Sequence, residues 1–196
     1  MPDCRFRLFR GGAWRQFLQR TIGGRRWVRA AFQPFCENGR GILPDYFDSS
    51  VLAAVYLAEV YSEAARRALS AEPQAPFTPL HELVVRHAFR LRVGRKRITP
   101  REAVAVATHL DDDIAARRLV QVPIDLYEVF TRAEKLSARH SKRLLTRSLD
   151  ILHVAAALEL TCGRFVSFDA RQVRLAHAAG LDAINLSVSR RATRTS

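Results

Sequence analysis

The sequence predicts an α/β fold with a central parallel sheet and helices on both of its faces. Two observations support this prediction. From residue 44 onward, short apolar strand segments alternate with helical segments, and the links between them are short. Parallel strands need a long crossover connection, and a helix is the usual one, so this alternation favours a parallel sheet.

The first predicted strand is Tyr46–Phe47, and a helix over residues 51–70 follows it. Leu57 and Tyr61 fall on one side of that helix and Glu63 on the other, which is an amphipathic pattern. The remaining predicted elements are, in chain order, a helix from Thr78 to Gly94, a helix from Thr99 to about Leu119, a strand at 120–124, a helix over 126–138, a helix over 148–163, a strand at 164–168, a helix ending at Gly180 and a strand at 183–186.

Capping residues mark two of these helix starts. Thr78 is a favoured N-cap residue, and the proline after it fits the first helical position. Thr99 is followed three positions later by Glu102, which is the spacing of a capping box. Before the first of these helices, Pro73 and Pro76 interrupt the chain.

The composition is that of a globular protein with an excess of positive charge. Thirty-two Lys and Arg against nineteen Asp and Glu give a net charge of +13, which favours a polyanionic partner such as nucleic acid. A genome of high GC content, which encodes Arg wherever Lys would serve, would produce the same excess without any such role. The three cysteines show no C-x-x-C spacing, which argues against a disulfide framework or a zinc site and is typical of a reducing cytoplasm. No apolar run is long enough to span a membrane, so we expect a cytoplasmic protein.

Residues 1–42 differ from the rest of the chain. They hold nine Arg and no Lys, with Asp3 and Glu37 as the only acids, which gives a net charge of 9 − 2 = +7. Such a segment could contact RNA, could serve as an organelle transit segment, or could be upstream sequence included through a misplaced start codon. We favour the last interpretation, in which the native protein begins near Leu43. The predicted organisation is therefore an extension at 1–42, one domain at 43–188 and a disordered basic tail at 189–196.

Acidic residues follow two of the predicted strands. In open parallel sheets, ligands bind beyond the carboxyl ends of the strands, which is where Asp48 and Asp169 are expected. Each acid could instead be a helix N-cap. Glu82 lies in the first turn of a predicted helix, where an ion pair with Arg86 is the simpler explanation. Asp150 opens the helix over 148–163 on a largely apolar face, where a buried carboxylate would need a cation or an Arg nearby.

Three segments that contain these acids, together with the segment that closes the predicted domain, resemble one known family. YFDSSVLAA, HELVVRHAF, SLDILHVAAALELTCGRFVSFDAR and the closing AGLDAINL are similar to the PIN-domain family, and within it to the VapC-type toxins of bacterial toxin–antitoxin pairs. The resemblance covers about residues 44–186 and leaves residues 1–42 unexplained. It implies an α/β/α sandwich and metal-dependent endonucleolytic cleavage of RNA.

The resemblance also implies the site. Asp48, Glu82, Asp150 and Asp169 match the acidic cluster of the family, and Ser50 matches its small hydroxyl residue. Clustered carboxylates repel one another, and Mg²⁺ or Mn²⁺, which prefer oxygen ligands, would relieve that repulsion. We expect Asp48 and Asp150 as the principal metal ligands, with Asp169 and Glu82 completing the site and Ser50 orienting a carboxylate or a bound water.

Partners follow from the same resemblance. An active toxin requires restraint, so we expect a cognate antitoxin protein, and the family also implies a homodimer. The basic stretches at 90–97 and 139–147 are candidate RNA contacts, although at helix ends they suit the helix dipole equally well. The alternative function is a non-catalytic PIN-like module that binds RNA or protein.

Overall fold

The structure is a computed structural model and describes residues 43–187. The predictions for the Arg-rich segment at 1–42 and for the tail at 189–196 concern residues outside this range. The described elements are, in chain order, β1 Tyr46–Phe47, α1 Ser49–Tyr56, α2 Ser62–Ser70, β2 Ala75–Phe77, α3 Pro79–Gly94, α4 Pro100–Ala115, β3 Leu119–Gln121, α5 Leu126–Leu144, α6 Ser148–Glu159, β4 Arg164–Ser167, α7 Ala170–Ala178 and β5 Asp182–Asn185.

All described strand pairs are parallel, which confirms the predicted fold class. β4 lies between β1 and β5, and β2 pairs with β3. The register sets Tyr46 opposite Phe165 and Ala75 opposite Leu119. Because the strands are parallel, their carboxyl ends lie at the same edge of each sheet.

Pro76 accounts for the division of the strands into a three-stranded and a two-stranded sheet. β1 and β2 are neighbours in space but share no strand ladder. The N–H of Ala75 donates to Arg118 O over 2.9 Å, and Phe77 O accepts from Val122 N–H over 3.0 Å, so residues 75 and 77 direct their polar groups toward β3. The group that would point toward β1 belongs to Pro76, which has no N–H.

The single helix predicted over 51–70 is wrong, because the structure has two helices there. Leu57 adopts an extended conformation after α1, with φ −87° and ψ 145°. The hydroxyl of Ser62 donates to Leu57 O over 2.5 Å and accepts from Glu59 N–H over 2.7 Å. Serine side chains that satisfy backbone groups in this way compete with helix formation, and here they stabilise the break.

Further boundaries also differ from the prediction, and α4 ends at Ala115 rather than at about Leu119. α5 extends to Leu144 rather than to residue 138, and Pro76, which was expected to interrupt the chain, lies within β2. α6 ends at Glu159 rather than at residue 163, and Thr161, with φ +49°, adopts the left-handed conformation. Gly163 instead allows close packing, since a Cβ there would lie 3.0 Å from Leu43 O.

The helices form two packed groups, α1 to α4 and α5 to α7. The main hydrophobic cluster joins the first group to the sheet, and its fully buried members include Phe47, Leu52, Val85, Leu110 and Leu119. Among the described helices, none is long and apolar enough to cross a membrane.

Candidate active site

Three aspartates reach the carboxyl-end edge of the β1–β4–β5 sheet from different elements. Asp48 directly follows β1 and is buried, with 4% of its surface exposed. Asp169 lies two residues after β4 and Asp150 in the first turn of α6, and both are partly buried. The main-chain N–H of Asp48 donates to Val166 O over 2.9 Å, which fixes the end of β1 against β4.

Two of these aspartates are also helix N-caps. The carboxylate of Asp48 accepts from the N–H of Ser50 at the start of α1, and that of Asp169 accepts from the N–H of Arg171 over 2.7 Å at the start of α7. The capping interpretation left open from the sequence is therefore correct for both. Capping occupies only part of a carboxylate's acceptor capacity, so it leaves lone pairs available for another ligand.

Ser50 lies where it can orient Asp48. Its hydroxyl donates to Oδ2 of Asp48 over 3.0 Å, in addition to the bond from its main-chain N–H. The hydroxyl of Ser167, the last residue of β4, donates to the same Oδ2. Three donors from two elements thus fix the orientation of one buried carboxylate.

The charges of the three aspartates affect one another's pKa values. Burial raises the pKa of Asp48, the hydrogen bonds from Ser167 and Ser50 oppose that rise, and the charge of Asp169 adds to it. Burial likewise raises the pKa of Asp150, with further contributions from the charges of Asp169 and Asp48. The unfavourable interaction of neighbouring carboxylates is one that a bound cation would relieve.

Asp169 behaves differently because of Arg171. Partial burial acts to raise its pKa, but the hydrogen bonds and the charge of Arg171 together outweigh burial and lower the pKa overall. Nη2 of Arg171 lies 3.1 Å from Oδ2 of Asp169. Asp169 is thus the aspartate of the three that is already paired with a cation.

Glu82 is held by an ion pair on its own helix. Its carboxylate forms an ion pair with Arg86 one turn along α3, as the simpler interpretation of the sequence held, and Arg86 also lies 2.5 Å from Asp111. The second oxygen, Oε2, is buried and has no hydrogen-bond partner. One oxygen of Glu82 is therefore available for a ligand, although the described contacts hold the side chain toward Arg86.

The donor set suits a hard cation in its chemistry. Carboxylate and hydroxyl oxygens, together with the unpartnered Oε2 of Glu82, are the ligand types that Mg²⁺ and Mn²⁺ take. Within residues 43–187, however, no three His, Cys, Asp or Glu side chains already converge as a ligand group. The aspartates therefore fit a divalent cation by ligand type and location, with side-chain rotation needed to close around it.

A buried histidine network supports this edge of the sheet. Nδ1 of His153 lies 2.9 Å from the hydroxyl of Tyr46, and its Nε2 lies 2.9 Å from the hydroxyl of Ser49. His81 stacks on His153 with ring centroids 5.2 Å apart. His153, three residues after Asp150, thus ties α6 to the residues on either side of the Phe47–Asp48 segment.

Comparison with known proteins gives the family. A family model described as PIN domain matches residues 46–178. The chain belongs to the PIN-domain family. This membership confirms the family predicted from the sequence, and at the family level it indicates a nuclease.

Two solved structures share the fold of this PIN domain. VapC20 from Mycobacterium tuberculosis, described as a sarcin–ricin loop cleaving toxin, is 19% identical, with a TM-score of 0.52 over 72% of this chain and 98% of VapC20. FitAcB from Neisseria gonorrhoeae is 14% identical, with a TM-score of 0.54 over 74% of this chain and 99% of the other. No curated protein sequence matches the chain significantly. At these identities the likeness concerns the fold.

Proposed function

We propose that the chain is a metal-dependent endoribonuclease and the toxin of a toxin–antitoxin pair. The observation that carries the proposal is the meeting of Asp48, Asp150 and Asp169 at one sheet edge, where their charges affect one another's pKa. The fold shared with VapC20, a toxin that cleaves the sarcin–ricin loop, supports RNA as the substrate.

Asp48 and Asp150 would be the principal ligands of Mg²⁺ or Mn²⁺. Asp169 would complete the site, and Glu82 would join it through Oε2, directly or through water. A bound divalent cation supplies charge for binding the scissile phosphate and for activating water. Ser50 keeps the Asp48 carboxylate in a fixed orientation, and the partial burial of Asp150 limits competition from bulk water.

The surface beside Asp150 suits a polyanion. Arg139, Lys142, Arg143 and Arg147 are exposed at the end of α5 and the start of α6, directly before Asp150 in sequence. Basic side chains next to an acidic site would hold the RNA backbone while the acids and their cation act on one phosphate. This favours substrate binding over helix-dipole complementarity as the role of the stretch at 139–147.

Cleavage of RNA by the full chain tests the proposal. Purified protein with Mg²⁺ or Mn²⁺ should cut structured RNA, including a sarcin–ricin loop fragment, and EDTA should abolish the cut. Asp48→Asn should remove the activity with the fold intact, because Asn retains a cap acceptor but loses the charge. Equal activity in EDTA would overturn metal dependence. RNA binding without any cleavage would favour the non-catalytic module instead.

The antitoxin and the homodimer belong to the same proposal. A partner that inserts an Arg among the aspartates would gain charge-assisted hydrogen bonds in a desolvated site. Coexpression with the product of the adjacent reading frame should give a complex that copurifies and lacks nuclease activity. Recovery of active full chain alone, at high yield from growing cells, would contradict the need for an antitoxin. Light scattering of the complex would test the homodimer.

A further inference from the structure

Gln172 is a buried amide in the first turn of α7, with 2% of its surface exposed. Its Oε1 lies 2.8 Å from the hydroxyl oxygen of Ser167. Its Nε2 donates to the main-chain carbonyl of Asp150 over 3.3 Å. The side chain therefore bonds α7 to the first turn of α6, and its Oε1 lies beside the end of β4.

Ser167 extends this connection to the other two aspartates. Its hydroxyl oxygen accepts from the main-chain N–H of Asp169 over 3.0 Å. The same hydroxyl lies within hydrogen-bond distance of both Asp48 Oδ2 and Gln172 Oε1, and its single proton is directed to one of them at a time. Ser167 and Gln172 together thus contact all three aspartates through different atoms.

Besides the bonds of His153 to Tyr46 and Ser49, the bond from Gln172 helps to position Asp150. Its carboxylate has one described hydrogen bond, from the N–H of Arg147 over 3.2 Å, and that bond lies within the same helical turn. This bond from Arg147 therefore cannot fix the distance between the first turn of α6 and Asp48. Carboxylates repel one another, so the first turn of α6 needs an attachment that opposes separation. The bond from Gln172 to Asp150 O provides one.

We propose that Gln172 is a positioning residue. Its bond to Asp150 O holds the first turn of α6 against the start of α7, next to Asp169 and Ser167, so that Asp48 and Asp150 stand at the spacing at which they share one divalent cation. This inference rests on the proposed function, since it concerns the cation of the same site. Partners of metal ligands contribute about 10–100-fold to metal affinity in known sites, and an effect of that size is expected here.

Mn²⁺ binding to the full chain, followed by the electron paramagnetic resonance signal of free Mn²⁺, tests the proposal without reference to cleavage. Gln172→Met keeps the length of the side chain but removes both hydrogen-bonding groups. It should weaken Mn²⁺ binding at least tenfold. At saturating Mn²⁺, it should lower kcat for RNA cleavage more than it changes KM.

Two further variants separate positioning from loss of stability. Ser167→Ala breaks the link to Asp48 but leaves the bond from Gln172 to Asp150, and it should also weaken Mn²⁺ binding, which keeps the test decisive if Gln172→Met fails to fold. Leu110→Ala opens a cavity in the fully buried core of α4, away from the aspartates, and should lower Tm without changing Mn²⁺ affinity.

The outcomes distinguish the two proposals. Mn²⁺ affinity that is equal in the wild type, Gln172→Met and Ser167→Ala would overturn the positioning role and leave the proposed nuclease intact. Affinity that falls equally in Leu110→Ala would also overturn it, because stability alone would then explain the loss. A wild-type chain that binds no Mn²⁺ would overturn the metal-dependent function itself.

Discussion

Nε2 of His81 donates a hydrogen bond to the main-chain carbonyl of Phe47 over 2.8 Å. The direction of this bond is fixed, because Nδ1 of His81 accepts from the N–H of Thr78 over 3.0 Å and the remaining ring proton must be on Nε2. A neutral imidazole thus links β1 to α3 across the division between the two sheets, one residue before Asp48.

The buried histidines should make the protein sensitive to acid. Burial lowers the pKa of His153 to about 4, and burial together with the charge of His153 lowers the pKa of His81. The unfolded chain takes up protons near pH 6.5 and the native chain only at lower pH. The contribution of the neutral histidines to the free energy of unfolding is therefore fully present above pH 6.5. It is lost as the pH falls toward 4, and for His153 the loss is on the order of 3 kcal/mol. Urea unfolding between pH 7.5 and 4.5 measures this loss.

A pair of histidine variants assigns the acid sensitivity. His153→Gln should flatten the decline in unfolding free energy with falling pH, because the titrating ring is gone. His87→Gln, at an exposed position of α3, should leave the decline as it is in the wild type. A decline that is unchanged in His153→Gln would contradict the assignment.

Asp48→Asn should stabilise the metal-free protein. The raised pKa of Asp48 means that the native state disfavours its charge, so the unfolded chain ionises first as the pH rises above about 4. The cost of ionising Asp48 in the native state grows with pH and becomes constant above the native pKa. Asp48 therefore destabilises the protein at high pH, whereas the histidines destabilise it at low pH. Chemical denaturation should therefore show the gain in unfolding free energy at pH 8 and a much smaller one at pH 3.5. A variant less stable than the wild type at pH 8 would contradict this prediction.

Leu145→Gly should also stabilise the protein. Leu145 ends α5 with φ +53° and is 71% exposed, so its side chain packs little while its backbone is in the left-handed region. Glycine adopts this conformation without the steric cost of about 1–2 kcal/mol. Tm should rise by about 2–4 °C for each kcal/mol gained. Leu83→Gly, at a similarly exposed position inside α3, is the matched control and should lower Tm.

Arg164→Met should destabilise the opposite edge of the sheet. Arg164 lies 2.9 Å through Nε and 2.5 Å through Nη2 from the two oxygens of Asp45, which is 5% exposed, and 3.1 Å from Glu72. Without the Arg, a buried carboxylate loses its counter-ion, at a cost of about 2–3 kcal/mol. Adding Asp45→Asn should recover part of the loss, and a double-mutant cycle measures how much. A purely additive cycle would show that the pair does not interact.

The acids at strand ends could be predicted, because a strand followed by a polar residue is a local pattern. Asp48 and Asp169 each follow a buried apolar strand, and parallel topology then brings them to one edge. The division of the first predicted helix into α1 and α2 could not be predicted, since the amphipathic period continues through the break. The break is stabilised by a side-chain hydrogen bond from Ser62, which the period does not reveal. Whether Glu82 faces the aspartates or Arg86 depends on tertiary packing, which spacing does not specify.

The burial of Gln172 could not be predicted from the local sequence pattern. In DARQVR it is a polar residue among charged ones on a helix, a pattern typical of a solvent-facing surface. Its burial follows from the approach of α7 to α6, elements that meet only in the folded chain. The role of Ser167, two residues before Asp169, could not be recognised from the sequence either, since a serine at a strand end is common in turns and caps.

The position of β4 beside β1 sets the moment at which the site can form during synthesis. Tyr46 pairs with Phe165, 119 positions later in the chain, so β1 has no partner in its sheet until that residue is made. At about 5–20 residues per second, translation takes roughly ten seconds to cover this distance. A nascent chain therefore cannot assemble its aspartate cluster until β4 and Asp169 have been synthesised. Under the proposed function, this order of synthesis would keep the nascent chain inactive toward RNA until those residues are made.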